Sequence, residues 1–171
     1  MRRVFAVLGT AIFLVLAPGT VAGLVPWWIT GWRIASSAIA RLPVRIAGAM
    51  LLAVGVVVLL DSFARFALQG FGTPAPVFPT QHLVVSGLYR YVRNPMYVAV
   101  LAVTAGQALI FGSIRLLEYA ALPWLAAHVF VVAYEEPTLR ASFGEEYKAF
   151  CAAVPRWIPR LSPWRASSER A

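Results

Sequence analysis

The sequence predicts an all-α integral membrane protein with about four transmembrane helices and a C-terminal helical segment at the cytosolic membrane interface. Composition is the first observation behind this prediction: of the 171 residues, 60% are hydrophobic and 13% are charged, and the mean hydropathy is +0.74. The second observation is that apolar runs of about 20 residues recur along the chain, which is the length that an α-helix needs to cross a bilayer.

The first two spans form a predicted N-terminal membrane region, residues 1–69. The first span is predicted from Val4 to about Val25. Its basic start also fits a cleaved signal peptide, but the apolar run is longer than the usual one of about 7–15 residues. Residues 26–32, which include three tryptophans, are predicted to form an interfacial turn, because indole rings favour the headgroup level.

The second span is predicted from Leu42 to Leu68, and it is long enough to cross the membrane with some tilt. Near its end, Asp61 and Arg65 stand at the i,i+4 spacing that lets two side chains on a helix meet. Two interpretations stay open: the pair reaches the interface as an ordinary ion pair, or Asp61 is a functional acid within the membrane.

A polar stretch, Ser86–Tyr97 (SGLYRYVRNPMY), separates the second span from the third and is called the knot here. Pro95 suits the first turn of a helix with Asn94 as its N-cap, so the third span is predicted from Pro95 to about Phe111. The fourth span is predicted over residues 116 to about 134. The tail beyond it is predicted to form short amphipathic helices on the membrane surface.

The distribution of basic residues predicts the orientation. Of the 15 Lys and Arg residues, eleven lie on the side of the knot and of both termini, and four lie on the other side. This bias predicts a multi-pass protein of the inner (cytoplasmic) membrane with cytoplasmic N- and C-termini. Because the arginines flank apolar spans and do not stripe one face, the net charge of +8 indicates contact with membrane lipids, and nucleic-acid binding is not expected.

The sequence predicts no metal site. Cys151 is the only cysteine, and the two histidines, His82 and His128, lie far apart in the chain. In the last two spans, Gln107 and His128 are instead predicted to form hydrogen bonds between helices, because buried polar side chains in a membrane need partners.

The knot and the pair Glu135–Glu136 are predicted to lie on one membrane face, at the ends of adjacent helices. The first turn of the third span, with Arg90 and Arg93 beside it, suits a carboxylate or a phosphate. The two carboxylates suit a cationic or hydroxyl-rich ligand, because they are costly to bury beside a helix C-terminus. The pattern alone also fits ordinary inner-side arginines and the acidic start of a surface helix.

Five short motifs follow one another between about residues 80 and 160. They are Leu83–Tyr89 (LVVSGLY), Arg93–Val98 (RNPMYV), Glu135–Leu139 (EEPTL), Phe143–Tyr147 (FGEEY) and Val154–Pro155. Each motif alone is weak, but the ordered set is specific, and it resembles a prokaryotic-type member of the isoprenylcysteine carboxyl methyltransferase family. The related phospholipid methyltransferases share the general plan.

The resemblance implies that residues 70–171 form a membrane methyltransferase core that uses S-adenosylmethionine, enclosed by the last two spans and the C-terminal segment. A Rossmann methyltransferase is excluded because no glycine-rich turn follows a strand. Carried over by position, the predicted cofactor-binding residues are Gln81, His82, Leu83, Val84, Tyr89, Asn94, Pro95, Met96, Tyr97, Glu135 and Glu136. The predicted catalytic residues are Arg93, Tyr97 and Arg90, with Tyr147 and Arg156 closing the site from the tail.

Two departures from the family pattern leave the methyl acceptor open. Asn94 stands where the eukaryotic enzymes have the histidine of an Arg-His-Pro motif, and residues 130–133 (FVVA) lack their arginine one turn before the glutamates. The acceptor is expected to be a lipophilic molecule from the bilayer. A carboxylate needs no base, a thiol or sulfide needs a dry pocket, and an amine needs a base, for which Asp61, Glu136 and Tyr97 are the candidates.

Two functions of other classes remain as alternatives. A non-catalytic membrane scaffold that binds a lipid or a partner on the same fold predicts no affinity for the cofactor. An oxidoreductase on a similar helical scaffold predicts binding of a nicotinamide cofactor instead.

Overall fold

The computed structural model describes residues 2–35, 41–70 and 83–165, and every regular element within these ranges is a helix. Three helical stretches are long and apolar enough to cross a membrane, namely Val7–Thr30, Leu42–Leu68 and Ile114–Ala153, and a shorter apolar helix spans Pro95–Phe111. The predicted all-α membrane fold is therefore confirmed.

The first stretch is one continuous helical rod, built from α1 (Arg2–Gly19), a π-helical turn (Thr20–Leu24) and α2 (Val25–Thr30). The prediction of an interfacial turn over residues 26–32 was wrong in its extent. Pro26 lies in the first turn of α2, where a missing N–H is tolerated, so the helix continues to Thr30 and the chain turns only at Gly31 and Trp32, both with positive φ.

The π turn before Pro26 frees backbone carbonyls, and two side chains from other helices satisfy them. The side-chain amide of Gln107 donates to the Ala22 carbonyl at 2.6 Å, and the hydroxyl of Tyr119 donates to the Val21 carbonyl at 3.0 Å. The helix–helix role predicted for Gln107 is thus confirmed. The Gln107 bond compensates for the N–H that Pro26 lacks. Together, the two hydrogen bonds tie the first rod to the third and fourth predicted spans.

Helices α3 (Leu42–Arg65) and α4 (Pro95–Phe111) pack closely because glycines lie at their crossing. A Cβ added to Gly48 would lie 2.8 Å from the Gly106 carbonyl oxygen, and one added to Gly55 would lie 3.1 Å from the Ala99 carbonyl oxygen. Small residues let helix backbones approach in this way. Met96 packs at the same contact against Leu59, Phe63 and Ala99.

Helix α5 (Ile114–Phe130) continues through a π turn (Val131–Glu135) into α6 (Glu136–Ala153). The predicted break after residue 134 is absent from this described stretch, because Pro137 falls in the first turn of α6, where proline is tolerated. The direction changes instead at Gly144, whose φ of 51° and ψ of −122° are not helical. The tail was predicted to form short helices, but it forms one helix that continues the fourth span and ends at Ala153, and residues 154–165 are not helical.

The C-terminal segment, residues 154–164, lies along the knot and is called the strap here. Backbone hydrogen bonds join Arg93 N to the Pro155 carbonyl at 2.9 Å, Arg160 N to the Tyr91 carbonyl at 3.0 Å and Trp164 N to the Arg90 carbonyl at 2.9 Å. The strap and the knot thus run antiparallel, and the end of the described chain covers the start of α4.

Candidate functional site

A cavity of about 60 Å³ lies where the knot, the end of α3, the π turn after α5 and helix α6 meet. Its lining combines three charged side chains with aromatic and aliphatic ones. The lining residues are Phe66, Leu83, Val84, Tyr89, Arg93, Asn94, Val131, Glu135, Glu136, Leu139, Tyr147 and Phe150. A mainly apolar wall with a few convergent polar groups is typical of a small-molecule site.

The two adjacent glutamates have different surroundings. Glu136 is buried and accepts hydrogen bonds from Arg156 at 2.7 and 3.0 Å and from Arg93 at 2.9 Å. Glu135 accepts a hydrogen bond from the Tyr97 hydroxyl at 3.0 Å, and no lysine or arginine of the described chain forms a salt bridge with it. Consecutive helical residues point about 100° apart, so the pair divides between two sets of partners. The Glu136 carboxylate also raises the pKa of the Arg156 guanidinium through its hydrogen bonds.

Arg93 lines the cavity and carries a buried donor. Its Nη1 donates to Glu136 and to the sulfur of Cys151 at 3.1 Å. Its Nε is buried, and it has no hydrogen-bond partner among the residues that the structure describes. A buried donor without an acceptor costs about 1–3 kcal/mol. An oxygen acceptor that reached this nitrogen would remove that cost.

Asn94 is the N-cap residue of α4, as predicted, but its side chain makes no capping hydrogen bond. Its Nδ2 donates to the Arg156 carbonyl of the strap at 3.2 Å. The backbone at Asn94 (φ −122°, ψ 55°) departs from the usual cap geometry, and the amide is used to hold the strap. The positive end of the α4 dipole thus remains next to the cavity without that cap.

Tyr89 enters the cavity from the 3₁₀ turn Gly87–Arg90. Its ring is buried and lies edge-on to Phe66, the first residue of the π turn Phe66–Gly70 that follows α3, with 5.7 Å between ring centroids. Burial raises the pKa of the Tyr89 hydroxyl above its ordinary value, so the phenol stays protonated at neutral pH. It can donate a hydrogen bond within the site.

The structure brings most of the predicted site residues together, but not all of them. Tyr97 reaches the site through Glu135, whereas Met96 belongs to the packing between α3 and α4. Arg90 lines a separate open cleft of about 380 Å³ with Asp61 and Arg65, and its Nε donates to the Trp164 carbonyl at 2.6 Å. Pro95 is buried at the first turn of α4. Gln81 and His82 lie outside the described residues.

Several wall residues had no signal in the sequence analysis: Phe66, Val131 and Phe150. They come from three different elements, and apolar side chains on apolar helices do not reveal which of them face a ligand. Tyr147 and Arg156, which were predicted to close the site from the tail, lie in the wall and against Glu136 respectively.

His128 contacts the strap. Its Nδ1 accepts a hydrogen bond from the Trp157 indole at 3.2 Å, so the predicted partner on a neighbouring helix was wrong. The rings of Trp124 and Trp157 lie 5.5 and 5.8 Å from the His128 ring, and Tyr97 meets Trp157 edge-on at 6.5 Å. These four rings form an aromatic cluster beside the hydrogen bond between Tyr97 and Glu135.

The fold and the site define a helical membrane protein with a charged small-molecule cavity at one end of its spans. The phospholipid methyltransferase family matches the chain over residues 44–146, and the chain belongs to this family. This family match agrees with the resemblance found in the motifs. It begins in α3 and ends in α6, so it includes Arg93, Glu135 and Glu136 but not the strap.

Neither the curated proteins nor the solved structures give a significant match. Within the described part of the chain, no group of three or more His, Cys, Asp or Glu residues is placed to hold a metal ion.

Proposed function

We propose that this chain transfers a methyl group from S-adenosylmethionine to a lipophilic acceptor that reaches the site from the bilayer. The observation that carries the proposal is the placement of Glu135. Its carboxylate faces the cavity with one phenol as its hydrogen-bond donor, while the arginines next to it are bound to Glu136. A carboxylate left without a cation at a partly buried site favours a ligand that brings a cation or several hydroxyls.

The types of side chain that line the cavity fit S-adenosylmethionine, and the cavity of about 60 Å³ must widen to hold the whole cofactor. The buried Nε of Arg93 and the first turn of α4 suit the carboxylate of its amino-acid part. Glu135 suits its ammonium group or its ribose hydroxyls, and the aromatic walls at Phe66 and Phe150 suit the adenine ring. When bound, this cofactor supplies an electrophilic methyl group on a sulfonium.

The chain's own contribution to the reaction is positioning and exclusion of water. The strap, held by Arg156 and by its bonds to the knot, contacts the polar residues of the cavity wall, namely Glu136, Arg93 and Asn94. Apolar side chains of α6, of the π turn before it and of residues 83–84 form much of the rest of the wall. A shielded site of this kind accelerates a methyl transfer mainly by aligning nucleophile, methyl group and leaving group.

Within the proposal, a phospholipid amine is the preferred acceptor. Arg93 is bound to Glu136, and Arg90 lines the other cleft, so neither is placed to orient a carboxylate acceptor at Glu135. Of the candidate bases, Asp61 is bound to Arg65 and Glu136 to two arginines. Of the three candidates this leaves Tyr97, whose hydroxyl is hydrogen-bonded to Glu135.

The proposed location follows from the predicted orientation. With both termini in the cytoplasm, the knot, Glu135 and the strap lie at the cytoplasmic face of the inner membrane. The cofactor then enters from the cytosol and the acceptor from the inner leaflet.

The test is binding of S-adenosylhomocysteine to the purified protein in detergent, measured by calorimetry on wild type and on the Glu135→Gln variant. We expect wild type to bind and the variant to lose at least about tenfold in affinity, which corresponds to about 1.4 kcal/mol. Glu145→Gln is the matched control, because Glu145 is exposed and pairs only locally with Lys148. A folded wild type that does not bind would overturn the proposal and favour the scaffold alternative.

The acceptor is tested separately, with labelled methyl groups and vesicles of defined composition. Label in phosphatidylethanolamine-type lipids supports the amine acceptor. Label that appears only in a prenylcysteine carboxylate or a lipophilic thiol would overturn that part of the proposal while leaving the methyltransferase standing.

A further inference from the structure

The end of α3 contacts the knot in the open cleft that Asp61, Arg65 and Arg90 line, outside the cavity. Asp61 accepts two hydrogen bonds from Arg65, from Nε at 2.8 Å and from Nη2 at 2.9 Å. The remaining nitrogen, Nη1, donates to the Ser86 hydroxyl at 3.1 Å. All three nitrogens of the guanidinium therefore have partners, which fixes its plane and its position against the knot.

Gly87 shows how close this contact is. Its φ of +54° is a conformation that favours glycine, and a Cβ added there would overlap the guanidinium of Arg65. The backbone at Gly87 thus bends around a side chain that Asp61 holds in place. A shift of the Arg65 guanidinium would therefore change the space available to the backbone at Gly87.

The bend at Gly87 opens the 3₁₀ turn that carries Tyr89 into the cavity. The residue after α3, Phe66, lines the cavity and meets the Tyr89 ring edge-on. Two consecutive residues therefore contact this turn, Arg65 from the open cleft and Phe66 from the cavity.

We propose that the Asp61–Arg65 pair is a positioning device for the cofactor site, acting through Gly87 on Tyr89. The inference rests on the proposed function, since the site that it positions is the proposed cofactor site. It gives Asp61 a role that neither interpretation of the sequence includes. Asp61 is neither a base, because it lines the cleft on the other side of the knot, nor merely an interfacial ion pair.

The test is a double-mutant cycle on S-adenosylhomocysteine affinity with wild type, Asp61→Asn, Tyr89→Ala and the double variant. Asparagine keeps the size of the side chain but removes the charge that fixes the Arg65 fork. We expect Asp61→Asn to weaken binding about tenfold in the wild-type background and less than about twofold when Tyr89 is already alanine. Equal effects in both backgrounds would overturn the inference, because a general loss of stability does not depend on Tyr89.

A second measurement keeps the inference separate from the proposed function. Hydrogen exchange of residues 86–92, followed by mass spectrometry without any ligand, reports whether the 3₁₀ turn is held. We expect faster exchange there in Asp61→Asn and unchanged exchange in Glu145→Gln, which removes a carboxylate from an exposed i,i+3 pair. Unchanged exchange in Asp61→Asn would overturn the inference, whereas failure of wild type to bind the ligand would overturn only the proposed function.

Discussion

Two arginine–carboxylate clusters hold the knot, one on each side, and they are built differently. In the cluster at Glu136, the partners are 43 and 20 residues away in the chain, and the Glu136 side chain is only 12% exposed. In the cluster at Asp61, the ion-pair partner is one helical turn away, and the two side chains are 25% and 35% exposed. The first joins three separate segments of the chain, and the second forms within one helix.

This difference predicts that the cluster at Glu136 stabilises the fold and that the cluster at Asp61 positions the site. Removing the Glu136 carboxylate would leave two guanidiniums close together with no anion between them, and little water can reach Arg93 to compensate. Removing the Asp61 carboxylate would leave Arg65 beside an open cleft, where water replaces the lost contact. The cluster at Glu136 therefore holds the fold of the site together, and the cluster at Asp61 adjusts its geometry.

Of the changes that this comparison predicts, the largest loss of stability is expected for Glu136→Gln. We expect this substitution to lower the free energy of unfolding by about 3 kcal/mol, because breaking a buried ion pair from one side strands the other charges. The measurement is thermal or denaturant unfolding of the detergent-solubilised protein. Glu145→Gln should leave stability unchanged within about 0.5 kcal/mol. A loss no larger than that of the control would remove the distinction between the two clusters.

A smaller effect is expected for Arg156→Lys. Lysine keeps the positive charge but cannot donate to both Glu136 oxygens as a planar fork, and Arg93 continues to neutralise the carboxylate. We expect a loss of about 1–2 kcal/mol in unfolding free energy, measured in the same way. Proteolysis near the strap should also become faster, because Arg156 anchors it. A stability equal to that of wild type would show that charge alone holds the strap.

The smallest effect on stability is expected for Asp61→Asn, at less than about 1 kcal/mol, because the pair is local and partly exposed. In the same variant, ligand affinity is expected to fall as described above. Measuring both the unfolding midpoint and the ligand affinity of each variant sharpens the contrast. Asp61→Asn should lower mainly the affinity, whereas Glu136→Gln should lower both. A stability loss in Asp61→Asn that matches Glu136→Gln would contradict the comparison.

The helices could be predicted where apolar length and proline position decide them. The bounds of α4, Pro95–Phe111, and of the second membrane stretch, Leu42–Leu68, agree with the prediction. The π turns Thr20–Leu24 and Val131–Glu135 could not be predicted, because each precedes a proline that is tolerated in the first turn of the next helix. For the same reason, the spans around Pro26 and Pro137 proved longer than predicted.

Close helix contacts show the same limit. The sequence has a glycine pair at Gly19 and Gly23, yet a Cβ at Gly23 would meet no atom within 4 Å. The glycines that matter for packing, Gly48 and Gly106, lie on different helices. Spacing within one helix does not reveal which face meets a partner.

In the site, the motifs predicted which residues lie close together but not which side chains bond to each other. Tyr89 in the 3₁₀ turn, Asn94 before α4 and Glu135 in the π turn after α5 all line one cavity. Glu136 bonds to both arginines, and Glu135 bonds to Tyr97. This division follows from the rotation of the helix at the π turn, which the sequence does not reveal. Consecutive identical residues offer no basis for choosing between them.

The strap also has a consequence for the order of synthesis. Residues 154–164 leave the ribosome after every other described part of the site, and N-terminal parts of a chain generally fold first. Until then Glu136 has Arg93 but not Arg156, and the knot's backbone lacks its antiparallel partner. The helices can therefore pack before the strap is in place, and the contacts that fix Glu136 and the backbone of the knot are completed last.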